Sequence, residues 1–415
     1  MGFLEIFRDR KVAAAIIVAA LGYFVDVFDL LLFSTVRVSS LSSLGLSGEA
    51  LTDAGVQILN AQLIGLLIGG IIFGVYGDKK GRLSVLFGSI FIYSVANILN
   101  AFVDSVPAYI VLRFVAGLGL AGELGAGITL VSELLPKEQR GYGTTLVAAV
   151  GVTGAIFAGL AGENMNWRNA YLLGGVLGFL LLFLRVAVSE SGIFQAIASS
   201  DVQKGNLLMI FQTKERKLRY LSSILIGIPI WFFVGVLIAF CPEIGRDLAL
   251  TGAVTTGNAI IFAYVGLALG DVASGLLSQH LQSRKKAIGI FLGMTSLVSL
   301  LLLHLREISP GEFYSLLFIG GFFAGYWAVF VSAAAEQFGT NLRATVATTV
   351  PNFVRGTAAL MTTIFGFLKP TLGAARAAET VGMIALIVSL VGFKMMKETF
   401  GRELNFLEED HQQLS

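Results

Sequence analysis

Residues 56–82 read VQILNAQLIGLLIGGIIFGVYGDKKGR. From Val56 to Gly77 the stretch carries no charge, and then Asp78, Lys79, Lys80 and Arg82 arrive together. An apolar run of about twenty residues is long enough to cross hydrocarbon as a helix. A basic turn directly after such a run marks the side that stays cytoplasmic.

The rest of the chain repeats this pattern. Of 415 residues, 55% are hydrophobic and only 13% charged, against about 25% charged in an ordinary soluble domain. That balance suits a surface facing lipid. Runs of spanning length recur at 13–36, 56–77, 84–103, 107–132, 143–163, 168–189, 220–240, 254–277, 287–304, 312–336, 346–370 and 380–397. Barrel strands are about 10 residues long and alternate in polarity, so they do not explain these runs. The expected fold class is all-α polytopic: twelve transmembrane helices in two six-helix halves.

Charge gives the direction. Arg8, Arg10 and Lys11, then Lys79, Lys80 and Arg82, then Lys137 and Arg140 fall at alternate connections. So do Lys204 to Arg219, Arg284 to Lys286, and the tail residues Lys394, Lys397 and Arg402. With twelve spans all these clusters lie on one side, which is then cytoplasmic together with both termini. The first run has no small-residue cleavage site and reads as a retained span, not a signal peptide.

Other classes find little support. A net charge of +2 gives no general attraction to nucleic acid. The single cysteine, Cys241, excludes an intramolecular disulfide and a cysteine zinc cluster. His280, His304 and His411 are scattered, so neither a metal nor a cofactor is expected. No Walker loop is present, which argues against ATP drive.

The chain also repeats internally. Glu133-Leu-Leu-Pro-Lys-Glu-Gln-Arg140 follows span 4, and Glu336-Gln-Phe-Gly-Thr-Asn-Leu-Arg343 follows span 10. Glu and Arg hold the same spacing in both copies. Two related six-span halves let a site between them open to either face. The expected organisation is an N-terminal half, 1–190, a cytoplasmic linker, 191–219, a C-terminal half, 220–402, and a cytoplasmic tail, 403–415.

Here the chain resembles the major facilitator superfamily. Gly74-Val75-Tyr76-Gly77-Asp78-Lys79-Lys80-Gly81-Arg82 is similar to that family's cytoplasmic turn, G-x-x-x-D-R-x-G-R-R, with Lys79 and Leu83 as departures. Arg113-Phe114 with Gly117, Gly119, Gly122 and Glu123 resembles the fourth helix of its metabolite:proton symporters, the sugar-porter-like branch. The acidic pattern centred on Asp29 and the Arg140–Gly143 stretch add to this. The first-helix string of those symporters is replaced here by Val25-Asp26-Val27-Phe28-Asp29. The antiporter branch usually carries a proline beside the span-5 glycines. None occurs between Pro136 and Pro229.

The intramembrane charges are the candidate machinery. Asp26 and Asp29, three apart, share a helix face, and Glu123 lies in span 4. Such groups normally face the bundle interior or a water path. Asp29, then Asp26 and Glu123, are the expected proton-coupling residues; the rival reading is structural pairing with Arg113 or Arg37. Arg113 either binds an anionic substrate or neutralises an aspartate. Arg355 in span 11 is a second buried cation, and Lys369 reads as an outer-end or snorkelling residue. Asn258, Tyr264 and Trp231 complete the substrate candidates; Tyr264 could equally bond another helix, and Trp231 could face lipid. Asp271 is placed near the inner end of span 8, and Glu243, Arg246 and Asp247 in an external loop.

The resemblance implies a cytoplasmic latch of Asp78, Lys79 and Arg82, with Glu133–Arg140 and Glu336–Arg343 as ionic companions; static anchoring of topology is the alternative. Small residues at Gly151, Gly154, Ala158 and Gly162 read as a packing stripe. The expected function is proton-driven uptake of a small organic anion, an organic or sugar acid, by a monomer in the bacterial inner membrane. Export, antiport or facilitated transport of a metabolite or xenobiotic is the alternative. Expected partners are the substrate, protons and membrane lipids, with no nucleic acid.

Overall fold

The computed structural model describes residues 9–80, 82–135, 140–185, 207–402 and 408. The linker expected at 191–219 is therefore described only from Leu207, and the tail expected at 403–415 only at Glu408. The side chains of Asp78, Lys79, Arg82, Glu133 and Arg140 lie outside the described part.

In order, the helices are α1 (Arg10–Ser43), α2 (Gly48–Lys80), α3 (Arg82–Asn100), α4 (Val106–Leu120), α5 (Glu123–Leu134), α6 (Arg140–Asn164) and α7 (Trp167–Arg185). A 3-10 turn, Leu207–Phe211, leads to α8 (Lys214–Phe232), which runs on as a π-helical turn, Phe233–Ile238. Then come α9 (Cys241–Asp247), α10 (Thr256–His280), α11 (Arg284–His304), α12 (Pro310–Ala324), α13 (Trp327–Glu336), α14 (Thr340–Leu372) and α15 (Ala374–Met395). Among the described residues 11 segments are long and apolar enough to cross a membrane. The expected span 346–370 lies within α14, whose 33 residues reach about 50 Å. Asn352, Arg355 and Lys369 make it too polar to be marked by composition.

Helix starts follow local chemistry. Thr213, Thr255 and Ser283 each accept from a backbone N–H three residues on. Ser309 and Glu312 form a reciprocal capping box with Pro310 between them. Outward faces carry bare apolar side chains such as Phe367 at 81% and Phe183 at 74% exposure. In water that would be an aggregation surface; against lipid it needs no cover.

Inside, glycines let backbones touch. A Cβ on Gly117 of α4 would sit 2.0 Å from the Gln62 carbonyl of α2, and one on Gly270 of α10 would sit 1.8 Å from the Phe322 carbonyl of α12. The stripe on α6 does what its spacing predicts, with Gly154 facing the Phe24 carbonyl and Gly162 facing Thr35, both on α1.

Two expected spans are broken. Span 4 is α4 and α5, interrupted at Ala121–Gly122; span 10 is α12 and α13, interrupted at Gly325–Tyr326. Sequence periodicity missed both because each break is flanked by apolar helix on either side. The charged stretch after span 7 is likewise not a loop: it forms α9 and buries Glu243. Burial is possible because Arg37 meets it across the molecule.

Candidate functional site

Three elements of the first half converge on Asp29. Arg113, in α4, donates from Nη1 to Asp29 Oδ1 at 3.2 Å and from Nη2 to the Asp29 carbonyl at 3.1 Å. The same Nη1 reaches Asn97 Oδ1 of α3 at 3.1 Å. The guanidinium lies 5.4 Å from the Tyr171 ring of α7, and that hydroxyl shares a 2.7 Å hydrogen bond with Tyr109. Asp29 and Arg113 are both fully buried. Of the two roles open to Arg113, the structure shows the internal pair.

Asp26 is one turn away and points elsewhere. Its Oδ2 lies 3.6 Å from Nη1 of Arg355 in α14, too long for a hydrogen bond. Both Asp26 carboxylate oxygens, and Nε and Nη1 of Arg355, lack hydrogen-bond partners. Buried charges without hydrogen bonds are costly, so this contact is an unsatisfied charged pair within the core. Arg355 is flanked by Trp231 at 6.0 Å and Trp327 at 5.8 Å, ring faces that favour a cation. Tyr23 and Tyr264 lie within electrostatic reach of it. Trp231 is therefore an inward residue, held by a helix with Pro229 inside it and a π-helical turn just beyond. Such turns often mark functional positions.

Glu123 is tied down. Arg185 of α7 grips it with contacts of 2.6 and 3.1 Å, and Ser89 Oγ donates at 3.0 Å. Glu123 opens α5, where free backbone N–H groups and the helix dipole also favour an anion. Gly22 of α1 makes room: a Cβ there would meet the Arg185 Nη2 at 2.1 Å.

Asn258 stands apart from this centre. It sits in the first turn of α10, donating to Thr255 at 3.0 Å and to Glu163 of α6 at 3.4 Å. Its neighbours at that end include a second bridge between elements distant in sequence. Arg37 donates to Glu243 Oε1 at 2.8 Å and Oε2 at 2.9 Å, and to the Ala239 carbonyl at 3.1 Å, while lying over Phe240. The Lys369 Nζ donates to Thr52 at 2.9 Å. Burial alone would raise the Glu243 carboxyl, but the Arg37 charge and its hydrogen bonds hold it below the usual glutamate range.

At the other end, Glu336 meets Arg284 at 3.3 Å and accepts from Thr399 at 2.7 Å, while Arg343 donates to the Phe338 carbonyl at 3.2 Å. The ionic companion of Glu336 is thus Arg284, not Arg343. Arg343 lies in the first turn of α14 and reaches back to the Phe338 carbonyl just before that helix. Asp271 lies in the inner half of α10, against the break in span 10, where Gly270 brings α10 onto α12. Among the described residues no group of three His, Cys, Asp or Glu side chains could hold a metal.

Several participants escaped the sequence. Arg185 was visible as an arginine deep inside the run 168–189, and Trp327 as a lone indole inside 312–336. Asn97 and Tyr23 carried no signal, and Glu243 read as loop, since only the fold gives them partners.

The family model of the Major Facilitator Superfamily matches residues 13–363, and the chain belongs to that superfamily. It is a multi-pass membrane protein and a secondary-active transporter of small organic metabolites, not an enzyme. A putative metabolite transport protein of Haemophilus influenzae is 27% identical, over 94% of this chain and 97% of its own length. The sialic acid transporter NanX of Escherichia coli K12 is 27% identical over 91% and 93%. The crystal structure of a D-xylose-proton symporter superposes with a TM-score of 0.72 at 19% identity, covering 95% of this chain and all of that one. The fold is thus the sugar-porter-like one.

Proposed function

We propose that this chain takes up a small organic anion together with a proton, by alternating access. The observation that carries the reading is the Asp26–Arg355 contact: a fully buried cation bridging the first helix to α14, held at 3.6 Å with unused donors. An anionic substrate would take those donors and release Asp26. Sialic acid, by name an acid, is the cargo of one relative, which supports an anionic cargo here.

Asp29 is the proton carrier in this account. Arg113 holds it while it is charged, and a proton on Asp29 would free Arg113. Glu123, gripped by Arg185, braces the break in span 4. The span count supports twelve crossings once α14 is included, in two six-helix halves, 1–190 and 220–402, joined by 191–219, with 403–415 as a tail. The matched interruptions at 121–122 and 325–326 support the symmetry. Basic clusters favour cytoplasmic termini in a bacterial inner membrane. Asp78, Lys79 and Arg82, with Glu133–Arg140, form the inner latch. Glu336, paired with Arg284, closes it in the second half.

The test is purified protein in proteoliposomes loaded with a pH-sensitive dye, under an imposed potential. Pooled organic and sugar acids should acidify the lumen; sugars and amino acids should not. Cargo flux without proton movement would replace this reading with facilitated transport. Lumenal alkalinisation on cargo entry would replace it with antiport.

A further inference from the structure

Asp271 has no role in that cycle, yet it occupies an unusual position. It lies in the inner half of α10, and its side chain faces the start of α13 across the interrupted span 10. Its Oδ1 accepts from the Ala328 N–H at 3.1 Å. Its Oδ2 is buried and has no hydrogen-bond partner, in a residue only 8% exposed. The first amides of a helix lack partners of their own, and an anion there is favoured by the helix dipole. Asp271 therefore does from a neighbouring helix what an N-cap residue would do locally; the N-cap of α13, Tyr326, gives no side-chain bond.

The hinge beside it has no slack. Gly325 packs so closely on α10 that a Cβ would sit 2.5 Å from the Leu267 carbonyl and 2.6 Å from the Asp271 amide. The first residue of α13 is Trp327, whose ring lies 5.8 Å from the Arg355 guanidinium and whose Nε1 is buried without a partner. One carboxylate thus holds the start of the helix that aims a wall of the central site.

We propose that Asp271 is a positioning residue: its carboxylate fixes α13 against α10, and its protonation loosens the Gly325–Tyr326 hinge and reseats Trp327 beside Arg355. This deepens the transport reading above and rests on it for the meaning of the Trp327–Arg355 wall. The physical step is small. A carboxylate accepts amide hydrogen bonds about twice as strongly as its neutral acid, so one proton weakens the side-chain hydrogen bond that holds the α13 start.

Other ionisable groups around it are accounted for. Tyr23 and Asp26 of α1 and Arg355 of α14 face the same centre. Glu163 of α6 and Tyr314 of α12 are occupied at the Asn258 end of α10. Glu336 of α13 and Arg284 of α11 pair at its other end. The Tyr326 hydroxyl is turned away, onto the Ile226 carbonyl at 2.9 Å. Asp26, opposite Arg355, is thus the rival acid that the experiment must separate from Asp271.

The experiment is fluorine NMR on the full chain in lipid nanodiscs with 5-fluorotryptophan at Trp167, Trp231 and Trp327. Each resonance is assigned by replacement with Phe, and pH is varied from about 5 to about 9. The Trp327 resonance should titrate in the parent and in Asp26→Asn. In Asp271→Asn, which keeps an acceptor for Ala328 but cannot change charge, it should be flat. In Asp271→Ala it should sit at the acid position at every pH. A Trp327 titration that survives in Asp271→Asn, or vanishes in Asp26→Asn, overturns the proposal. The readout needs no substrate, so loss of the transport reading and loss of this one are separable.

Discussion

Asp26 and Asp29 are one helical turn apart, and the fold gives them unlike partners. Asp29 is held by Arg113 through both its side chain and its carbonyl, whereas Asp26 meets Arg355 at the margin of an ion pair. Breaking a buried pair from one side costs about 3–5 kcal/mol, because the remaining charge stays buried. Arg113→Gln should therefore cut transport of an anionic cargo by about 100-fold or more and lower thermal stability as well. Uptake assays with an anionic and a neutral cargo would show whether the loss is selective; equal losses would make Arg113 purely structural. Asp29→Asn keeps the shape and removes the charge. It should abolish proton-linked accumulation while leaving downhill exchange measurable, and accumulation with unchanged proton stoichiometry would remove Asp29 from the mechanism.

At the scale of helices, contact is decided by what is missing. Gly270 lies against the Phe322 carbonyl, a backbone atom that cannot rotate aside. Gly270→Ala should pry α10 from α12 and lower the melting temperature in detergent, by an overpacking cost of about 1–3 kcal/mol. Gly293 of α11 has open space at its Cβ position. Gly293→Ala should leave stability unchanged or raise it by up to about 1 kcal/mol. Similar losses at both sites would mean that helix packing is not the cause.

Helix α11 has a second dependence. Glu398 accepts from Ser283 Oγ, from the Arg284 amide at 2.9 Å and from the Lys285 amide at 3.3 Å. Partial burial works against its charge, but these bonds and those from the Thr399 and Phe400 amides hold its carboxyl at about 2. A depressed folded-state value means the contribution is complete above the ordinary glutamate range and fades as pH falls towards about 2. The thermal penalty of Glu398→Gln should therefore be present at neutral pH and shrink on acidification below about pH 4.5. A penalty independent of pH would show that the carboxylate charge is not its source.

For the whole molecule the telling contact is Arg37–Glu243, which ties α1 to α9 far along the chain. Beside it lies Cys241, the chain's only cysteine, fully buried. Opening at this end must separate the pair and uncover the thiol. Glu243→Gln should thus speed maleimide labelling of Cys241 by at least about tenfold, since an unpaired Arg37 disfavours the closed form. Because Glu243 is held below the usual glutamate range, labelling of the parent should stay flat from neutral down through that range, after correction for the thiol's own ionisation. It should rise only at lower pH. Unchanged labelling in Glu243→Gln would leave the pair without a gating role.

The class of the molecule is legible in the bare chain. Run length, the near absence of charge within runs and the alternation of basic connections are local or additive properties, and lipid responds to them directly. The sequence also marked Asp26, Asp29, Glu123, Arg113 and Arg355, because an ionisable residue in an apolar run costs too much to be incidental. What it could not contain was the pairing. Whether Arg113 faces Asp29 or Asp26, whether Glu123 meets Arg185, and whether Glu243 is loop or clasp depend on helices distant in sequence and adjacent in space. The breaks at 121–122 and 325–326 were hidden for the same reason. Apolar residues continue through them, and the groups that satisfy the interrupted backbone, Asp271 above all, come from another helix. Composition therefore fixes that a segment crosses the membrane, while only tertiary contact decides which charge answers which.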